Sequence, residues 1–121
     1  MKRVLLIDDD PYILDCLKIV LRPTGYVVTA LKSGRTLTMC DGKFDIVFLD
    51  LWMSGENGLK ICKKIKKSRA TRHLPVILMS ASTDLASIAK QAGADDFLIK
   101  PFDPETFLTK VASHLSPKTP S

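Results

Sequence analysis

Apolar residues gather in five short blocks along the chain, Val4–Ile7, Tyr26–Val28, Ile46–Leu49, Val76–Met79 and Phe97–Ile99. Each block is continuous rather than alternating, the pattern of a strand buried on both faces. The segments between them carry a different period. Ile13, Leu14, Leu17, Val20 and Leu21 follow the i, i+1, i+4, i+7, i+8 spacing of one helical stripe, and Phe107, Leu108, Val111, Ala112 and Leu115 repeat it near the C-terminus. Asp10-Pro11 and Asp103-Pro104 each place a capping carboxylate before a proline suited to the first helical position. Gly25, Gly58 and Gly93 stand where helices should start or stop. The resulting order is (βα)₅, which predicts an α/β domain: a doubly wound, five-stranded parallel sheet with helices on both faces. The second helix, roughly Ser33 to Cys40, has the poorest pattern, because Gly34 and two threonines interrupt it. Residues 1–115 read as one domain, and Ser116-Pro117-Lys118-Thr119-Pro120-Ser121 as a tail or the start of a linker.

Composition narrows the class. With 121 residues, 45% of them hydrophobic and 26% charged, the chain suits one globular core rather than disorder. No apolar run approaches the ~18 residues of a membrane span. The basic start and Val4–Ile7 are cut off by Asp8-Asp9-Asp10 too early for a signal peptide. Cys16, Cys40 and Cys62 are odd in number and lack Cys-x-x-Cys spacing, which argues against a disulfide framework or a zinc site and for a reducing, cytoplasmic setting. Cys16 and Cys62 lie on helix-like stretches and read as buried small hydrophobes. His73 and His114 have no ligand-spaced neighbours and read as plain surface residues. The net charge of +5 is local. No acidic residue occurs between Asn57 and Thr83, a stretch holding Lys60, Lys63, Lys64, Lys66, Lys67, Arg69 and Arg72; without these seven, 11 basic residues face 13 acidic ones. Such a patch, with no aromatic residues interleaved, lacks a base-stacking platform and reads as a solvated helix face rather than a nucleic-acid site.

Candidate chemistry follows from topology. In an open parallel sheet, ligands bind beyond the carboxyl ends of the strands. The first block ends in Asp8-Asp9-Asp10, the third in Asp50, the fourth in Ser80-Ala81 and the fifth in Lys100-Pro101, so acids, a hydroxyl and an ammonium are expected at one edge. Two carboxylates about 4 Å apart repel by ~4 kcal/mol at an effective dielectric near 20. A hard divalent cation with oxygen ligands relieves that repulsion, and Mg²⁺ typically takes one or two carboxylates plus water and phosphate oxygens. The set suits a phosphoryl group held by metal, ammonium and hydroxyl while a carboxylate attacks it.

Four segments then carry a resemblance covering about residues 2 to 115: Leu-Leu-Ile-Asp8-Asp9-Asp10-Pro, Phe-Asp-Ile-Val-Phe-Leu-Asp50-Leu-Trp-Met, Ile-Leu-Met-Ser80-Ala and Gly-Ala-Asp-Asp-Phe97-Leu-Ile-Lys100-Pro-Phe. In order and spacing they resemble the receiver (CheY-like) domain of two-component response regulators. The resemblance implies a flavodoxin/CheY-like sheet of strand order 2-1-3-4-5. It implies Asp50 as phosphoacceptor, and Mg²⁺ (or Mn²⁺) held by Asp9, Asp50 and the backbone carbonyl of Trp52, with Asp8 assisting through water. By the same resemblance Ser80 and Lys100 would each meet a phosphoryl oxygen, Phe97 would turn inward as Ser80 moves, and Lys100-Pro101 would be a cis peptide. Implied partners are a histidine kinase or phosphotransfer protein, and an output domain or second receiver meeting the face of the fourth helix, fifth strand and fifth helix. The chain itself would be a signalling domain with limited self-catalysed phosphotransfer rather than an enzyme.

Departures from the family pattern are local. Met53-Ser54-Gly55-Glu56-Asn57-Gly58 replaces the usual Met-Pro-Gly-Met-Asp-Gly, and Ser54 loosens a turn that proline would stiffen. Asn57 can still cap the third helix. Phe97 lacks the hydroxyl that tyrosine would bring, which excludes a phenol hydrogen bond in any readout. Trp52, two residues past Asp50, stands where water would approach an acyl phosphate, so its bulk is expected to slow autodephosphorylation. An alternative reading is a pseudo-receiver, an interaction module of the same fold working without phosphate; the intact residue set argues against it. A small flavin-binding protein of similar topology would need a phosphate-cradling Gly/Ser/Thr loop after the first strand, where Asp8-Asp9-Asp10-Pro11 stands instead.

Overall fold

A computed structural model describes residues 2–33, 43–53 and 55–115. The expected second helix from residue 34 on, Cys40, Ser54 and the segment 116–121 lie outside the described residues. The elements run β1 (Arg3–Ile7), α1 (Pro11–Leu21), a 3₁₀ turn (Arg22–Thr24), β2 (Val27–Leu31), β3 (Ile46–Asp50), β4 (Trp52–Met53), β5 (Glu56–Asn57), α2 (Gly58–Lys67), β6 (Val76–Ser80), α3 (Leu85–Ala92), β7 (Asp96–Ile99) and α4 (Pro104–Leu115). Five strands pair in the order β2-β1-β3-β6-β7, all parallel. This is the expected 2-1-3-4-5 order; the short antiparallel ribbon β4-β5, in which Trp52 faces Asn57, is what raises the later numbers.

Alternate residues of the central strands explain why both faces need helices. Leu5, Ile7, Val47, Leu49 and Leu78 point to one side, where Cys62 and Ile65 of α2 and Leu85, Ala89 and Ala92 of α3 cover them. Val4, Leu6, Phe48, Ile77 and Met79 point to the other, under Leu14, Leu17 and Leu21 of α1 and Phe107, Val111 and Leu115 of α4. Phe48 and Phe107 meet there at 4.7 Å between ring centroids, tilted by 53°, and burial of each ring is worth roughly 1.5–3 kcal/mol. The expected caps form. Asp10 Oδ1 accepts from Tyr12 N–H at 2.9 Å, Asn57 Oδ1 from Leu59 N–H at 2.9 Å and Asp103 Oδ1 from Thr106 N–H at 2.7 Å. Gly25 and Gly93 take left-handed conformations (φ 78° and 76°) as chain reversals after the 3₁₀ turn and α3.

Four expectations are corrected. The block at Tyr26–Val28 becomes the edge strand β2, Val27–Leu31, with Val27 exposed and the rest half-buried, because an edge strand has one neighbour instead of two. Cys16 is exposed, since it sits beside the α1 stripe rather than on it, whereas Cys62 is fully buried as expected. Burial pushes the Cys62 thiol up to about 11. Ala112 is exposed for the same reason as Cys16, at the margin of the α4 stripe. His114 is no plain surface residue: half-buried, its Nε2 lies 2.9 Å from Asp96 Oδ2. Within the basic stretch, Lys66 is similarly occupied, pairing with Asp95 and donating to the Leu74 carbonyl at 2.7 Å. Lys60, Lys63, Lys64, Lys67 and Arg69 are exposed, as a solvated face requires. No helix among the described residues is long and apolar enough to cross a membrane.

Candidate functional site at the carboxyl edge of the sheet

Asp8 is the first residue past β1, and its own N–H donates to the Leu31 carbonyl of β2 at 3.0 Å. That bond carries the sheet one residue further and turns the Asp8 side chain into the edge. One of its oxygens, Oδ1, accepts from Asp10 N–H at 3.0 Å and the other, Oδ2, from Lys100 Nζ at 2.7 Å. Asp50 ends β3. The chain after it is held by Leu51 N–H on the Met79 carbonyl at 2.8 Å and by Gly58 N–H on the Leu51 carbonyl at 2.7 Å. Gly58 approaches so closely that a Cβ there would lie 2.4 Å from the Asp50 carbonyl oxygen. Ser80 ends β6, and its carbonyl accepts from Lys100 N–H at 2.9 Å. The Lys100-Pro101 bond is cis, as the resemblance implied.

These strand ends bring Asp8, Asp9, Asp50, Trp52, Ser80 and Lys100 to one open cleft of about 540 Å³. Lys100 reaches back from β7 across the edge, its Nζ 2.7 Å from Asp8 and 3.1 Å from Asp50. Asp8 is fully buried, and Asp50 and Ser80 nearly so, at 6% and 3% exposure. Burial first, and then repulsion from Asp8, push the Asp50 carboxyl up to about 6 against the pull of Lys100. Burial by itself would lower the Lys100 ammonium, but the Asp8 hydrogen bond and the charge of Asp50 outweigh it and hold its pKa above the usual value. A carboxylate short of positive charge thus faces an open cleft. Carboxylate oxygens of Asp8, Asp9 and Asp50 lie within 4.8 Å of one another, an all-oxygen, anionic donor set that suits a hard cation such as Mg²⁺.

Phe97 is set apart from this group. It is half-buried in β7 and packs towards the α2–α3 side of the sheet, with Lys110 Nζ 5.7 Å from its ring centroid. Next to it, Asp96 accepts from Lys110 Nζ at 2.8 Å and pairs with His114. Two residues of the site escaped the sequence reading. Ser82 Oγ meets both Ser80 Oγ, at 3.0 Å, and Trp52 Nε1, at 3.3 Å; a second serine at i+2 in a turn is the available signal. Gly58 was read as a helix boundary only. A glycine directly after a capping asparagine, where helical φ suits any residue, is better explained by a close backbone approach. A second hollow of about 480 Å³ borders the cleft, sharing Ala81 and Lys100 with it and lined by apolar groups including Tyr12, Ile13, Val20 and Phe102.

A parallel α/β sheet whose carboxyl edge gathers acids, a hydroxyl and a lysine defines the CheY-like class of signalling domains. Residues 4–112 match the family model described as response regulator receiver domain. The chain is 34% identical over 118 residues to the DNA-binding response regulator MtrA of Mycolicibacterium smegmatis, covering 94% of this chain and 50% of that protein. It is likewise 34% identical over 120 residues to the transcriptional regulator RpaA of Synechocystis sp., covering 95% and 49%. Among solved structures, the chemotaxis response regulator CheY4 of Vibrio cholerae superposes with a TM-score of 0.85 at 27% identity, over 95% of this chain and 99% of that one. The beryllofluoride-activated DrrB receiver domain gives 0.84 at 31% identity, over 97% and 99%. The chain belongs to the receiver domain family of two-component response regulators. It spans about half the length of the curated relatives it matches.

Proposed function

We propose that Asp50 accepts a phosphoryl group, from a phosphohistidine of a kinase or phosphotransfer protein or from a small acyl phosphate. The observation that carries this reading is the nearly buried Asp50 carboxylate, placed beside Asp8 with Lys100 between them and open to the cleft that Ser80 also lines. An Asp50 oxygen forms the new bond to phosphorus, the donor's P–N or P–O bond breaks, and its electron pair leaves with the donor's imidazole or carboxylate. Lys100 stays at the Asp50 carboxyl and balances charge on a phosphoryl oxygen, while the Ser80 hydroxyl donates to another. Asp9 and Asp50, with the Trp52 carbonyl and with Asp8 in support, would hold Mg²⁺, which supplies charge neutralisation to the phosphoryl oxygens when bound.

A phosphoryl group adds roughly −1.5 to −2 charge at the edge. Lys100 then has a stronger partner than Asp8, and the Ser80 and Phe97 side chains are the candidates to follow, altering the face formed by α3, β7 and α4. That face would exchange contacts with an output segment or a second receiver. The apolar hollow along α1 lies against the cleft and suits the body of a protein phosphodonor. Incubation with Mg²⁺ and acetyl phosphate, followed by intact mass, tests the reading. One added phosphoryl group is expected for the native chain and none for Asp50→Asn; an unmodified native chain would favour a phosphate-independent interaction module.

A further inference from the structure

A chain of hydrogen bonds crosses the mouth of the cleft. The Trp52 indole, 59% exposed, extends from the β3 side and its Nε1–H donates to Ser82 Oγ at 3.3 Å. On the β6 side, the Ser80 hydroxyl donates to the same Ser82 Oγ at 3.0 Å, and Ser82 N–H returns a bond to Ser80 Oγ at 3.1 Å. A hydroxyl has one proton to give. While that proton rests on Ser82, it is withheld from any oxygen on Asp50. Ser80 is also nearly buried, so its hydroxyl leaves Ser82 only for another acceptor.

We infer that Ser82 is a positioning residue that latches Ser80 in its resting orientation, with the Trp52 indole as the bar that holds Ser82 in place. The inference rests on the reading of Asp50 as phosphoacceptor. A phosphoryl oxygen competes with Ser82 for the Ser80 proton, and the charge-assisted bond is the stronger of the two. Once Ser80 turns, Ser82 keeps the indole alone, and the lip of the cleft loosens with the switch. The serine orientation and the cleft mouth are therefore one two-state element, and the latch subtracts from affinity for the activated state.

The test measures binding of beryllofluoride, an acyl-phosphate mimic, by calorimetry on the full chain with Mg²⁺. Ser82→Ala is expected to bind about two- to tenfold more tightly than the native protein, the worth of one net hydrogen bond. Trp52→Phe keeps an aromatic ring without the N–H and should shift affinity in the same direction by less. The gain from Ser82→Ala should vanish in a Ser80→Ala background, which a merely structural role for Ser82 would not produce. Native protein that binds no beryllofluoride overturns the phosphoacceptor reading and the latch with it. Native binding with no gain in Ser82→Ala, or a gain that survives Ser80→Ala, overturns the latch alone.

Discussion

Asp50 and Asp96 are the same residue at opposite ends of neighbouring parts of one sheet, and their surroundings push them in opposite directions. Asp50, at the carboxyl end of β3, is nearly buried, stands beside Asp8 and shares Lys100 with it, and its carboxyl is raised to about 6. Asp96, at the amino end of β7, also loses water, but hydrogen bonds from Lys110, His114 and the Phe97 N–H outweigh that loss and hold it below the usual carboxylate value. Its neighbour Asp95 is equally well served, pairing with Lys66 and accepting from Val76 N–H at 2.8 Å. At the amino edge acids are matched by cations, and the result is structural: α2 and α4 are tied to β7. At the carboxyl edge negative charge exceeds its partners, and the surplus is available to a ligand.

The largest test of this contrast removes the shared cation. Lys100→Met should leave two buried carboxylates without a cation, Asp8 keeping only its bond from Asp10 N–H, and cost about 3 kcal/mol in urea unfolding at pH 7 without Mg²⁺. The part of that loss due to Asp50 should disappear at pH 5, where Asp50 takes up a proton, leaving the part due to Asp8. A loss independent of pH would mean that Lys100 acts through packing instead.

A smaller and more pointed test exchanges each aspartate for asparagine. The full displacement of Asp50 to about 6 corresponds to roughly 3 kcal/mol, and water in the open cleft screens part of it. Asp50→Asn is therefore expected to stabilise the Mg²⁺-free protein by about 1–2 kcal/mol at pH 7. Because the folded state holds this proton more tightly than the unfolded chain, stability should fall as pH rises from about 4 to 6. The gain from Asp50→Asn should grow over the same window and be absent below it. Asp96 has the reverse sign: its contribution is present above the ordinary carboxylate pKa of about 3.9 and is lost as pH falls below it. Asp96→Asn should lower stability at pH 7 by about 0.5–1 kcal/mol, with a difference that shrinks in acid. Equal signs for the two substitutions would break the comparison.

The smallest expected effect concerns the lifetime of the product. If Trp52 shields the acyl phosphate, Trp52→Asn should shorten the half-life of phosphorylated protein severalfold, read by loss of radiolabel or of the added mass. An unchanged half-life would remove Trp52 from that role.

Much of this was legible before any coordinates. The continuous apolar blocks placed four of the five sheet strands to within a residue or so, and Asp10, Asn57 and Asp103 announced the helix starts they cap. The carboxyl-end rule brought Asp8, Asp9, Asp50, Ser80 and Lys100 to one edge, where they lie. Less legible were features that depend on neighbours distant in sequence. The edge position of β2 shows only once strands are ordered, and Cys16 and Ala112 depend on where a helical stripe ends. The pairing of His114 with Asp96 joins residues 18 apart that no local spacing relates.

Strand, helix and turn propensities, together with the identities of the residues closing each strand, were set by the chain's own pattern, because those are short-range matters of backbone sterics and hydrophobic period. Charge balance was not. Whether an aspartate ends up starved of or supplied with positive partners depends on distances and burial that arise only when β1, β3 and β7 pack side by side. The path of the Ser80 proton, to Ser82 or to the cleft, is likewise a property of the assembled edge, where β4 and the turn after β6 come close enough for Trp52 and Ser82, 30 residues apart, to share a hydrogen bond.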